Sequence, residues 1–533
     1  MSTTRSQPCS EAAIRSTHGA VACARSQQRW VLTAAVLAST MAFVDESVVN
    51  VALPRIQTSL GTTLPAMQWV VNAYTLCMSA LLLIGGAAGD QLGRRRIFLL
   101  GVAIFAAASL ACGLAPTAAV LIVSRALQGV GAALLIPCSL AIIGAAFEEQ
   151  ERGAAIGIWS GASALAAGLG PLLGGWLVDH TSWRAIFLIN PLLAVIALWI
   201  GLRHLPESRD PDAVPGIDWR GALLVFAGLG VLVYGLIEAA VLGWRNPWVY
   251  GSITAGLLVL AAFVLAERVR RAPMMPLTLF RSLRFSGINL VTLLLYGALG
   301  GAFFFLPFLL IQVHGYSATA AGAIFLPFSV ILGVLSRWSG RIADHFGARW
   351  PLIIGPALVA VGFALLARAT GDSRYSAVLW PMVVLAFGMV ITVTPLTTTV
   401  VNAVPAHQTG IASGINNAVA SVASLLMIAV LGTIALSAIG HSLDEQLASS
   451  SLSRETKAVV ESARGGFVTP TMPPSIPEAE RRSANAIVGS SFVTAIRLVM
   501  LIASAMALLS ALISALTIRA NQPEYGKSRA QRH

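Results

Sequence analysis

Long apolar stretches recur along the whole chain, and they decide what it can fold into. A helix of about 20 apolar residues is long enough to cross the hydrocarbon core of a bilayer. Fourteen such stretches can be read from the sequence, so it predicts an all-α polytopic membrane protein. They lie near residues 30–53, 67–89, 97–115, 119–145, 153–177, 185–203, 219–240, 247–266, 287–311, 318–340, 351–368, 377–400, 409–439 and 487–517.

The composition excludes the soluble classes of protein. Of the 533 residues, 56% are hydrophobic and only 11% are charged, whereas a soluble domain carries about 25% charged residues. The net charge of +12 is spread in short basic runs between apolar stretches, which is unlike a nucleic-acid-binding patch. The five cysteines form no CxxC pair. We therefore expect no nucleic-acid partner, no metal site and no cofactor.

The basic residues also predict the topology. If both termini are placed on the same side of the membrane, most Lys and Arg residues of the short loops fall on that side as well. Arg94, Arg95 and Arg96 are examples. The positive-inside rule assigns this side to the cytoplasm. We expect a multi-pass protein of the cell (inner or cytoplasmic) membrane with both termini cytoplasmic. The first stretch contains Asp45 and continues as a membrane-like helix, so it is read as an uncleaved span rather than a signal peptide.

An internal repeat divides the chain. The residues Gly86, Asp90, Gly93 and Arg95 return at the same offsets as Gly340, Asp344, Gly347 and Arg349, and both copies follow an apolar stretch. Such a repeat indicates two related halves of six helices each. The predicted organisation is an N-terminal tail (1–29), a first half (30–203), a linker with two extra helices (204–285), a second half (286–517) with an external loop (440–486), and a C-terminal tail (518–533).

The repeated loop has a local physical interpretation. An aspartate at a helix end, followed by glycine and by Arg94 and Arg95, can form a tight turn with a charge pair. Between rigid halves, such a pair would act as a conformational latch. The alternative is that the arginines only determine topology, although this leaves Asp90 and the repeat unexplained.

Few ionisable residues lie at membrane depth, and each is a candidate functional residue. A charge at the centre of a membrane helix costs roughly 2.5–3.5 kcal/mol. Asp45 is a proton-coupling candidate or else a structural partner for polar groups, and its neighbour Glu46 is either a second titrating acid or an interface residue. Arg125 is a hydrogen-bonding hub at the least. Glu238 lies near a helix end, where snorkelling to the interface is the favoured alternative.

The fifth apolar stretch is unusually rich in small residues. Many glycines allow a neighbouring helix to approach closely, and a proline bends its own helix. In a transporter such a bend would serve as a pivot and seal, whereas rigid packing is the alternative. The residues of this bend motif are Gly157, Gly170, Pro171, Gly174 and Gly175.

Several segments resemble one known family. Gly86–Arg95 resembles the signature loop of the major facilitator superfamily, and four further segments resemble helix motifs of its fourteen-helix drug:proton antiporters. These are Val44–Pro54 in the first helix, Gln68–Leu76 in the second, Arg125–Gly131 in the fourth, and Gly157 with Gly170–Gly175 in the fifth. Departures include Glu46, where the family usually has a small residue, and Ala166 in place of a motif glycine.

The resemblance implies the major facilitator fold and a proton-coupled exporter of lipophilic or cationic drugs and toxic compounds, with Arg125 in a proton relay with the first-helix acid. The implied partners are the lipid bilayer, the small substrate, protons and accessory export proteins. An exporter of an endogenous lipid, siderophore or metabolite is the alternative function. A membrane enzyme is not expected, because the eight histidines are scattered through loops and tails.

A substrate pocket in such a protein is expected to be apolar and aromatic with a few polar groups. Aromatic residues also pack helices or lie at the membrane interface, so each candidate has a structural alternative. The pocket candidates are Trp69, Asn72, Tyr74, Trp159 and Phe303.

Overall fold

The computed structural model describes residues 25–210, 216, 218–270, 275–335, 347–371, 374–405, 408–467 and 472–518. In this part of the chain, 14 helices are long and apolar enough to cross a membrane, which confirms the predicted all-α membrane fold. They are α1 (Arg25–Leu60), α2 (Leu64–Leu92), α3 (Arg94–Gly113), α4 (Ala118–Ala146), α5 (Glu149–His180), α6 (Ala185–His204), α7 (Trp219–Leu242), α8 (Pro247–Val269), α9 (Leu283–Phe308), α10 (Ala318–Leu335), α11 (Arg349–Ala369), α12 (Tyr375–Asn402), α13 (Thr409–Ser449) and α15 (Glu478–Thr517). A short helix, α14 (Arg454–Glu461), lies outside the spans.

Polar residues set the beginnings of several spans. The side chains of Thr117, Asp218, Asn246 and Ser282 each accept a hydrogen bond from a backbone N–H in the first turn of the following helix. These residue types satisfy amide groups that have no partner within the helix. These four apolar stretches therefore become helical directly after a polar residue.

The helices form two groups of six. In the first half, α1 packs against α4, α5 and α6, while α4 packs against α2 and α3. In the second half, α9 packs against α13 and α15, while α11 packs against α12 and α15. The halves meet where α5 contacts α10, α2 contacts α13 and α1 contacts α9. The cavity described below lies between the halves.

The two extra helices lie at the edge of this contact. Helix α7 packs against α8 and also against α2 and α13, one helix from each half. Helix α8 buries little of its surface, and its large apolar side chains Leu257, Leu258 and Leu265 are exposed. Such a continuous apolar face suits contact with lipid.

The segment between α13 and α15 is more ordered than the predicted loop over 440–486. Polar residues extend α13 to Ser449 and begin α15 at Glu478, because these helix ends bond to each other, for example through Gln446 and Ser490. Between them, Phe467 is fully buried. Its ring contacts those of Phe305, Phe308 and Phe492. The described part of this segment therefore forms a packed cover at the end of the bundle opposite Arg25 and Thr517.

Candidate functional site

Asp45 lies near the middle of α1 and is completely buried. Its Oδ2 atom accepts a hydrogen bond from Nη1 of Arg125 at 2.5 Å, and its Oδ1 atom accepts one from Nε2 of Gln128 at 2.8 Å. The same Nη1 atom also donates to Oε1 of Gln128 at 2.7 Å. Arg125 and Gln128 share a face of α4 because they are three residues apart. The three side chains form a closed triangle between α1 and α4.

Two further helices contribute to this network. Nδ2 of Asn190, on α6, donates to Oδ1 of Asp45 at 2.8 Å and to Oγ of Ser109, on α3, at 2.9 Å. Sequence reasoning assigned no role to either residue. The signal for Asn190 is a single amide in an otherwise apolar span, directly before Pro191. We call the set Asp45, Arg125, Gln128, Asn190 and Ser109 the buried polar network.

Arg125 is both a hub and the partner of Asp45. Its Nε atom donates to the backbone oxygen of Val70 at 3.1 Å, and its guanidinium lies 4.2 Å from the centre of the Tyr74 ring. Its side chain is 1% exposed. Arg125 can therefore be both a hydrogen-bonding hub and the partner of the first-helix acid, because its guanidinium donates to a backbone oxygen and also pairs with the carboxylate of Asp45.

Glu46 lies in a different environment from its neighbour. Consecutive residues point about 100° apart around a helix, so Glu46 cannot join the network that holds Asp45. Its side chain is exposed although it lies deep in the bundle, and one turn further along the same side of α1 is Asn50, which lines the cavity. Glu46 accepts no hydrogen bond from the part of the chain that the structure describes. It therefore lies on the side of α1 that carries the lining residue Asn50, although it is not itself one of the lining residues.

A cavity of about 910 Å³ separates the halves and is lined by residues of α1, α5, α9, α10 and α12. Phe303, Phe325 and Phe328 supply aromatic surface. The lining residues among those described carry no charged side chain, and the polar ones are Ser47, Asn50, Ser160, Ser329 and Thr394. A cavity of this size and character suits a lipophilic molecule held by few hydrogen bonds.

The glycines of α5 fall into two groups. Gly157 has open space around it and lines the cavity. Gly170 and Gly174 are pressed against α1, where a Cβ atom at Gly170 would lie 1.9 Å from Oγ of Ser47. A Cβ atom at Gly175 would lie 2.1 Å from the backbone oxygen of Ala318 on α10. The second group thus closes the cavity towards the end of the bundle opposite Arg25 and Thr517.

The α5–α10 contact is interlocked from both sides. Gly322 of α10 approaches α5 so closely that a Cβ atom there would lie 2.1 Å from the backbone oxygen of Pro171. Beyond it, Asp179 at the end of α5 accepts hydrogen bonds from the backbone N–H groups of Ala318 at 3.1 Å and Thr319 at 2.7 Å. The first half therefore caps the N-terminus of a helix of the second half.

Residues 35–428 match the family model of the Major Facilitator Superfamily. The chain belongs to the major facilitator superfamily. It is a membrane transporter and not an enzyme, as the sequence predicts, and the fourteen spans in the described part of the chain agree with the fourteen-helix drug transporters of this superfamily.

Relatives of the chain within the superfamily are resistance and export proteins. The tetracenomycin C resistance and export protein of Streptomyces glaucescens is 33% identical over 498 residues, which are 92% of each chain. The multidrug resistance protein Stp of Mycobacterium tuberculosis is 34% identical over 490 residues, which are 90% of each chain.

Solved structures share the superfamily fold at low identity. One is a bacterial homologue of the human lysosomal transporter Spinster in an inward-facing, unoccupied conformation. It has a TM-score of 0.64 and 17% identity, covering 94% of this chain and 99% of that one. A D-xylose–proton symporter has a TM-score of 0.58 and 14% identity, with 93% and 98% covered. These likenesses support the fold alone.

The superfamily signature loop has its charged residues together. Nε of Arg94 donates to Oδ1 of Asp90 at 2.8 Å, and Gly93 between them has a φ of 118°, which favours glycine. Glu207, which sequence reasoning missed, accepts a hydrogen bond from the backbone N–H of Arg95 at 3.1 Å. These partners all belong to the first half or the segment after it.

The rest of the predicted latch is only partly described. In the first copy, Gly86 lies close to α4, where a Cβ atom would contact Pro137 at 3.7 Å. In the second copy, Gly347 has a φ of 69° and Arg349 donates to the backbone oxygen of Ala515 at 3.4 Å. Gly340 and Asp344 lie outside the described residues.

The structure separates the predicted pocket residues. Phe303 lines the cavity. Trp69 packs against an apolar cluster of α7 and α13, and Trp159 bonds to Ser39. Tyr74 lies outside the cavity because its ring packs on Arg125.

Two other candidates also lie away from the cavity and the buried polar network. Asn72 is fully buried and both of its amide atoms lack a hydrogen-bond partner. Glu238 is half-buried near the end of α7. Neither lines the cavity or bonds to Asp45.

Proposed function

We propose that the protein is a proton-coupled antiporter that exports lipophilic or cationic drugs and toxic compounds across the cytoplasmic membrane. The observation that carries the proposal is a buried, charge-paired carboxyl beside a large apolar cavity that is sealed at one end. The names of the relatives, which are resistance and export proteins, favour drugs as cargo. Under the predicted topology the termini lie in the cytoplasm, so the sealed end is external.

Alternating access would work through the α5–α10 contact. The cavity reaches Gly157 near the cytoplasmic start of α5, and the close packing at Gly175 and Gly322 blocks it on the outer side. Small residues allow two helices to pack closely and to part without breaking large side-chain contacts. Rocking of the halves would open this contact while closing the cytoplasmic side.

Coupling would work through Asp45. A proton on its carboxyl removes the charge that pairs with Arg125, so loading and release would favour different arrangements of the buried polar network. The membrane potential supplies about 2.3 kcal/mol per charge per 100 mV. For a neutral substrate exchanged for one proton, this is enough to sustain a concentration ratio of more than tenfold. Exchange of a monovalent cation for one proton moves no net charge and would draw on the pH gradient alone.

The decisive experiment measures transport by the purified protein in liposomes with an imposed pH gradient. We expect substrate efflux to require the gradient and to be accompanied by proton flux, reported by an internal pH dye. A panel should contain drugs, lipids and siderophores, because export restricted to an endogenous compound would favour the alternative cargo. Export that persists after an uncoupler is added would contradict proton coupling.

Asp179→Ala is expected to loosen the outer seal. The change removes the carboxylate that caps α10 across the halves, and loss of a helix cap costs about 1 kcal/mol, or roughly a fivefold shift in a two-state equilibrium. Outer labelling of a cysteine placed at Asn50 by an impermeant maleimide should therefore increase. Ser282→Ala is the matched control, because Ser282 caps α9 within the second half and takes no part in the contact between the halves. Equal labelling in the two variants would argue against the inter-half role.

Asp90→Asn is expected to slow transport several-fold without unfolding the protein. The Asp90–Arg94 pair is partly exposed, so its loss should cost less than about 1 kcal/mol of stability. The initial rate of dye efflux at matched expression tests this. Arg96→Gln is the control, since it breaks a longer, exposed contact with Glu207 in the same loop. Normal efflux by Asp90→Asn would rule out the latch.

A further inference from the structure

We infer that Glu46 is the counter-charge that makes the cavity prefer lipophilic cations to neutral compounds of the same size, a task separate from that of Asp45. The inference rests on the proposed function and specifies its substrate class. The described lining of the cavity is neutral, whereas the exposed carboxyl group of Glu46 lies one helical turn from the lining residue Asn50.

Asp45 is in no position to hold a substrate. It is 0% exposed, and its two oxygens are occupied by donors from Arg125, Gln128 and Asn190. Its charge is already neutralised by the bonded guanidinium. A cation in the cavity would therefore meet a closed, paired group on this side of α1.

Glu46 has the opposite properties. Its side chain is exposed one helical turn from the lining residue Asn50, and no group in the described part of the chain donates a hydrogen bond to it. Asp45 and Arg125 are already paired with each other. In its carboxylate form, Glu46 is therefore the group that gives these three residues a net negative charge.

The surroundings suit a lipophilic cation. The faces of aromatic rings attract cations, and Phe303, Phe325 and Phe328 supply such surfaces to the cavity. A carboxylate one helical turn from Asn50 adds electrostatic attraction in a space that is less screened than bulk water. Glu46 would thus set charge selectivity while the apolar wall supplies most of the contact.

The test compares two probes of similar size with the purified full-length protein. Methyltriphenylphosphonium carries a positive charge and triphenylphosphine oxide carries none. Equilibrium dialysis should show that Glu46→Gln weakens binding of the phosphonium by about tenfold, a loss between those expected for an exposed and for a buried charge pair. Binding of the oxide should change by less than about twofold. Glu46→Asp keeps the charge and should retain most of the preference.

Three outcomes would overturn the inference: equal loss of both probes in Glu46→Gln, no loss of either, or wild-type protein that does not prefer the phosphonium. The proposed function is judged separately, by gradient-driven efflux of the compound panel from wild-type liposomes. Normal efflux with unchanged cation binding in Glu46→Gln would refute the role of Glu46 alone. Wild-type protein that exports nothing would refute the proposed function whatever the probes bind.

Discussion

Asp45→Asn is expected to abolish uphill export. The amide keeps the size and the hydrogen-bonding oxygen of the side chain but cannot exchange a proton. One pH unit can sustain about a tenfold substrate ratio per proton exchanged, and this ratio should fall to about one in the variant. Liposomes loaded with an internal pH dye and given an imposed pH gradient measure both the ratio and the proton flux.

The control for this experiment is a carboxylate outside the buried polar network. Glu478→Gln breaks an exposed ion pair with Arg482 at the start of α15, so it should leave the substrate ratio unchanged. Asp45→Asn should still bind neutral lipophilic compounds, since their affinity comes from the apolar wall of the cavity. Substrate-dependent proton flux that persists in Asp45→Asn would move the coupling site to another acid, with Glu46 the first to test.

The number of spans could be predicted from the sequence because bilayer thickness fixes the length of each apolar stretch. The ends could not. Helix α13 continues through His441 and Asp444 to Ser449, since polar residues remain helical where a second helix supplies partners. Hydropathy records where the hydrocarbon ends, whereas hydrogen bonds and packing decide where the helix ends.

Asp45 and Arg125 could also be predicted as site residues, since a charged side chain is costly to bury in a membrane and needs a partner. The residues that complete the site could not. Asn190 and Ser109 are ordinary polar residues, and only the meeting of α3 and α6 with α1 places them beside Asp45. Asp179 gave no signal either, because its partners lie in the other half.

The effect of Asp45→Asn on stability depends on the partner of the carboxylate. For an isolated acid, a neutral amide would be tolerated, because burying an amide costs less than burying a charge. The buried guanidinium of Arg125 reverses this argument, since Asp45 is its bonded counter-charge. Removing one partner of a buried pair leaves the other charge uncompensated. The loss of transport in Asp45→Asn must therefore be separated from a loss of folding.

A double-mutant cycle makes this separation. Arg125→Gln alone should destabilise the protein by about 3–5 kcal/mol because it leaves the Asp45 carboxylate buried without its counter-charge, and Asp45→Asn should have a similar cost. The double variant contains no buried charge at this site, so it should unfold at a higher temperature than either single variant. Thermal unfolding of the detergent-solubilised proteins, followed by size-exclusion chromatography, measures all four. Additive losses would mean that the two side chains are not energetically coupled. A double variant that folds well but sustains no substrate gradient would assign the role of the pair to coupling, because stability would then have been restored without the titratable group.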